Sequence, residues 1–204
     1  MNTDKLKKAE QKFLSLYPDS FFDPTMQEIA KKHKMDQRTK QAQEFFKKSA
    51  FSDVSTICEN MVKIISQSSL ISIFEKPKFR DVVRSVGPSE EKALAQSLKL
   101  MLHGDQQKGF EEIVEILGQY KLAKWSLVTV IPNYYKPDEE VFVKPTTTKG
   151  IISTFQLDGV VYNPKPTWDF YKKYRSQILE MKSQVDETLA INNAAFCGFL
   201  MMSL

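Results

Sequence analysis

The chain reads as mainly α: a multi-helix domain with a small proline-rich α/β element of two or three short strands in its C-terminal half. Three features lead there. Apolar residues recur at helical spacing from residue 4 to about 120, with no sustained alternation of the strand type. Seven glycines and nine prolines are too few for an all-β chain that must turn every ten residues or so. After residue 120, runs of β-branched residues and a concentration of prolines change the character of the sequence. With 42% apolar and 26% charged residues, 204 residues can bury a core without disulfides or metals.

The first helix covers Asp4 to Leu16, with Leu6, Ala9, Phe13 and Leu16 on one face, and stops at Tyr17-Pro18-Asp19-Ser20. Asp23-Pro24 supplies a cap and a first-turn proline for the second. Met26, Ile29, Ala30 and His33 share one helical face, whereas Met35, Thr39, Ala42 and Phe46 fall on the opposite one. One straight helix could not bury both, so a break is expected near Lys34 or Met35, with Asp36 capping the next helix. Further helices are expected at Val54 to Ser66, Lys78 to Ser85, Pro88 to Leu102 and Gln106 to Tyr120. Residues 125–131, 141–143 and 160–162 are runs of β-branched residues that fit a small two- or three-stranded sheet, with 125–131 open between strand and helix. Helix returns after Thr167 and runs to Val185, where Trp168, Tyr171, Tyr174, Ile178, Met181 and Val185 form a core-facing seam. A last apolar helix follows Asn192 or Asn193. Residues 1–120 form a helical region and 121–204 a mixed one, packed as a single domain; no internal repeat is present.

The net charge of +4 permits nucleic-acid binding without requiring it. The excess lies within residues 1–50, which hold eleven Lys or Arg against seven acids. The N-terminus has no apolar run of the signal-peptide kind, and the stretch from Ala194 to Leu204 is about half the roughly 20 residues a membrane span needs. A cytoplasmic protein with two unpaired thiols, Cys58 and Cys197, is the expectation. The C-terminal apolar run is expected to complete the core, with docking to a protein partner or a second copy, or lying on a membrane, as the alternatives.

Chemistry is sparse. His103-Gly104-Asp105 has local structural work available: Gly104 suits a left-handed helix end, His103 a helix C-terminus and Asp105 a cap. Two histidines without clustered ligands argue against structural zinc. No nucleophile elbow, phosphate loop or zinc-protease motif occurs. No catalytic residue, metal or cofactor is therefore assigned.

Two surface candidates remain. Glu28-Ile29-Ala30-Lys31-Lys32-His33-Lys34-Met35-Asp36-Gln37-Arg38-Thr39 resembles the helix-turn-helix DNA-binding pattern, an Ile-Ala pair before a turn and a polar, basic helix after it. Lys34 stands where that pattern has a turn glycine, and Lys40 where it has an apolar residue. The resemblance implies Gln37, Arg38 and Gln41 on base edges or phosphates, and Lys31, Lys32 and Lys40 on the backbone. The second candidate is Lys144, Thr146, Thr147, Thr148 and Lys149. If Thr146 or Thr147 caps a helix through Ile151, Ile152 and Phe155, its free N–H groups, hydroxyls and lysines suit an anion. Aromatic residues surround this turn, and Tyr134 and Tyr135 fall in an expected loop. The expectation is a binding protein without evident catalysis, associating with nucleic acid through the basic corner. The alternative is a small-molecule or anion-binding protein, an enzyme among the options, built on the Lys144–Lys149 turn.

Overall fold

The computed structural model describes residues 1–204 and contains eleven α-helices: α1 Thr3–Leu16, α2 Pro24–His33, α3 Met35–Phe45, α4 Val54–Gln67, α5 Glu75–Ser85, α6 Pro88–His103, α7 Gln106–Gln119, α8 Trp125–Tyr135, α9 Pro145–Phe155, α10 Trp168–Lys182 and α11 Asn193–Met202. Three short 3-10 turns join them, and there is no strand. The helix starts follow local chemistry. Asn2, Asp23, Asp53, Asp105 and Asn192 each accept a bond from a first-turn N–H. Pro24, Pro88 and Pro145 open their helices where no N–H is needed.

The expected strands are the main correction. Residues 125–131 belong to α8, whose residues Trp125 to Tyr134 are all buried. A helix enclosed on every side carries no amphipathic stripe, so its β-branched residues imitate a buried strand. It lies against α3, α4, α6 and α7. Residues 141–143 and 160–162 lie outside any helix and form no strand pairing. The N–H of Val141 is met by the Tyr171 hydroxyl at 3.2 Å and that of Val143 by Thr129 Oγ1 at 3.0 Å. Side chains thus replace the ladder a sheet would have supplied.

Smaller differences concern helix ends. The break between α2 and α3 falls at Lys34 as expected, but Lys34 itself is the joint, in the left-handed region at φ 49°, and Asp36 lies inside the first turn of α3. Gly104 takes φ −143° instead of a left-handed conformation. Helix α5 begins at Glu75, three residues before the expected Lys78, and α10 ends at Lys182, not Val185.

A single apolar core runs through both halves of the chain. The longest helix–helix contact is the α6–α7 hairpin. It closes over Gly109, where an added Cβ would collide with Met101 N and Ser97 O. At the other end, α1 packs on α9. The Asn2 N–H donates to Phe155 O at 2.8 Å, and Phe13 meets Phe199 of α11 edge to face. Phe196, Phe199 and Leu200 are buried, so α11 does complete the core, while Met201, Met202 and Leu204 stay partly exposed. In the α10 seam, Tyr171, Tyr174, Ile178 and Met181 are buried. Both cysteines are free thiols. No helix is long and apolar enough to cross a membrane.

Candidate anion-binding corner

Helix α2 is a short, basic element. Its N-terminus is fixed by Asp23 and Pro24; its last turn carries Lys31, Lys32 and His33, followed by Lys34. The left-handed Lys34 costs about 1–2 kcal/mol for a residue with a Cβ, and it turns the chain within a single residue. His33 is tied down from the other side. Its Nδ1 lies 2.9 Å from Ser69 Oγ, which also approaches the His33 carbonyl at 3.5 Å. Ser69 opens the connection between α4 and α5, so this connection and the α2 corner form one continuous surface. The connection then runs along α8, since Ser68 Oγ pairs with the Tyr134 hydroxyl at 2.8 Å and Glu75 accepts from Ser126 Oγ at 2.9 Å.

The cations of this surface lack local partners. Lys31, Lys32, Lys34 and Lys40 are exposed and join no carboxylate, and the same holds for Lys78 in α5; half-buried Lys76 is likewise unpaired. Arg80 is held by its neighbour Asp81 at 2.8 Å. The apolar face assigned to α2 is only partly covered: Met26 is buried, but Ile29 is 39% exposed and Ala30 faces water.

Two residues assigned to nucleic acid by the helix-turn-helix resemblance turn inward. Arg38 is 8% exposed, and its Nη1 donates to Gln41 and to Gln67 of α4. The positive charge of Arg38 reaches the Tyr134 hydroxyl, which burial pushes above the ordinary tyrosine range and the Ser68 bond and Arg38 draw partly back. Arg38 therefore fastens α3 to α4 through Gln67, with half-buried Gln41 braced against it. Only Gln37 of that trio remains in solvent. The outer face of α3 has Asp36 and Glu44 beside Lys40, and Glu44 pairs with Lys47 just beyond the helix, so it offers little net charge.

No family model, curated protein or solved structure matches this chain. Its chemistry must be read from its own side chains.

The Lys144–Lys149 turn starts α9, with Pro145 at the first position and Lys144 at the cap without a side-chain bond. Neither Thr146 nor Thr147 is the cap. Thr148 is buried, 1% exposed. Lys144 and Thr146 are exposed, and Lys149 lies 5.7 Å from the centre of the Tyr162 ring.

The largest polar assembly is one that sequence reasoning missed. Glu140 is buried between α8 and α9. Its Oε1 accepts from Arg175 at 2.7 Å and Gln106 at 2.7 Å, its Oε2 from the Tyr171 hydroxyl at 2.6 Å, and its carbonyl from Asn193 at 3.0 Å. Arg175 lies over the rings of Trp168 and Tyr171. Every atom of the Glu140 carboxylate is satisfied from inside, so the assembly clamps α7, α10 and α11 onto one extended segment. The available signal was an acid directly preceding the apolar run Val141-Phe142-Val143. His103 is likewise structural: Nε2 bonds the Phe46 carbonyl at 2.8 Å, the ring sits edge-on to Phe51 and Tyr135, and Asp105 caps α7.

Proposed function

We propose that this chain is a binding protein without chemistry of its own, and that its α2 corner associates with phosphate-rich polyanions through charge. One observation carries this reading: Lys31, Lys32 and Lys34 stand unpaired at a single-residue corner that His33 and Ser69 join to the connection preceding Lys76 and Lys78. Unpaired lysines lose little on meeting phosphate and release counterions when they do. With Arg38 and Gln41 engaged in the interior, recognition rests on charge and not on base sequence.

The test is anisotropy of labelled duplex DNA, and of heparin, against the protein at about 50 and 200 mM salt, the range in which phosphate contacts reveal themselves. Saturable binding that weakens steeply with salt and is lost in the Lys31→Glu/Lys32→Glu/Lys34→Glu variant is the expected result. Loss in Lys144→Gln/Lys149→Gln, with the corner variant unaffected, would move the site to the start of α9. Absence of binding at low salt would end the polyanion reading.

A further inference from the structure

The connection between α4 and α5 carries two adjacent bulky apolar side chains, Ile73 and Phe74, each 73% exposed. Neighbouring residues that both project this far form a convex tip. The tip is held, not loose. Ile71 is buried beneath it, Ser68 is fixed to Tyr134, the Phe74 N–H reaches Ser72 Oγ at 3.3 Å, and α5 begins immediately behind. Holding Ile73 and Phe74 in water at the end of a braced segment costs free energy that burial of either residue would recover.

Unpaired lysines outnumber free acids around the tip. Lys76 and Lys78 follow in the first turn of α5, and the His33–Ser69 contact joins the segment to Lys31, Lys32 and Lys34, with Ile29 also open on α2. The acid next to Phe74, Glu75, is turned inward onto Ser126. Of the other nearby acids, Asp81 is occupied by Arg80, and Glu59 is engaged by Arg84. Glu28 on α2 and Asp36 on α3 remain in solvent.

From this arrangement we infer that the α2 corner and the Ile73-Phe74 tip dock together onto a lipid bilayer surface bearing anionic headgroups. This inference rests on the polyanion reading of the corner and names its partner. Nucleic-acid phosphates would engage the lysines but leave Ile73 and Phe74 in water. A protein partner would need a pocket shaped to a convex tip. A bilayer interface accepts such a tip wherever it lands, taking apolar side chains about 5–10 Å into the boundary between headgroups and acyl chains while lysines meet the headgroups.

The experiment uses the full chain with vesicles of phosphatidylcholine alone, or mixed with phosphatidylglycerol, and reads co-sedimentation. A fluorophore sensitive to polarity, placed on Ser72→Cys, reports insertion. It is carried in a Cys197→Ala background, since Cys197 is partly exposed while Cys58 is buried. The expected result is binding to the mixed vesicles with a blue-shifted, brighter label. Ile73→Ser/Phe74→Ser should weaken that binding about 10-fold or more while leaving heparin binding unchanged. Each of Lys76→Gln and Lys78→Gln should weaken it about 5-fold. Equal binding to both kinds of vesicle, or vesicle affinity unchanged in the double serine variant, overturns the inference. So does binding of heparin and duplex DNA with none to vesicles, an outcome that leaves the corner reading intact. Absence of binding to vesicles, heparin and DNA alike removes both. Ile73 and Phe74 lie outside the core, so the serine variant folds; an unchanged circular dichroism melt verifies this.

Discussion

Glu140 brings a carboxylate to 3% exposure, and what makes this tolerable is that Arg175, Gln106 and Tyr171 all donate to it. Glu140→Ala leaves Arg175 without its counter-charge and Tyr171 without an acceptor on that side. The expected loss is about 3–5 kcal/mol of unfolding free energy, measured by urea denaturation. Tyr171→Phe is milder. It keeps the ring stacked on Phe110 but removes the hydroxyl that serves both Glu140 and the Val141 N–H. A loss of about 1–3 kcal/mol follows from the unsatisfied buried groups. Asn133 is the counter-case. It is fully buried with neither amide atom bonded, and nothing in its surroundings explains why the position is polar.

Among the helices, the α6–α7 hairpin depends most on a single small residue. Gly109→Ala would gain up to about 1 kcal/mol of helix propensity. The new methyl would nevertheless meet backbone atoms of Met101 and Ser97, which cannot swing away as a side chain can. Overpacking of this kind costs about 1–3 kcal/mol or more, so the variant should melt below the parent in a thermal scan despite the better helix former. Legibility also varied from helix to helix. Helices α6, α7 and α10 were readable because each buries one stripe and keeps charges on the other side, and α1 was readable except that Glu10 is buried and Leu16 is exposed. Helix α8 was not, since enclosure by other helices erases the stripe on which periodicity depends. The basic corner was legible as charge. That Arg38 and Gln41 turn inward was not, because a basic helix looks the same in sequence whether its arginine meets solvent or Gln67 of another helix.

For the whole molecule, the buried tyrosines and cysteines favour neutrality. Burial raises Tyr171 and Tyr174 well above the ordinary tyrosine value of 10.0, with the Glu140 charge adding to the effect on Tyr171. Burial likewise pushes Cys58 and Cys197 from 9.0 up to about 12. Each folded pKa is raised, so the associated stability is intact below the unfolded values. It falls as the pH climbs from about 9 toward 12, where the unfolded chain releases protons that the folded one retains. Urea midpoints measured at intervals between pH 8 and pH 10.5 should decline steadily, and a flat profile would contradict the burial of these groups.

The seating of α1 has a consequence in time. Beyond the rings of Tyr17 and Phe21, what α1 rests on comes late in the chain: the Phe155 carbonyl, the Gln184 carbonyl that accepts from Lys7, the Asp186 N–H that Glu10 receives across 176 positions, and the ring of Phe199. A ribosome adding about 5–20 residues per second needs roughly 10–35 s to deliver the last of these after α1 has emerged. Throughout that interval Phe13 has only Tyr17 and Phe21 beside it and lacks the ring of Phe199. The first helix to be synthesised is among the last to find its place, and a nascent chain halted before α11 would present it to whatever chaperone or protease is nearby.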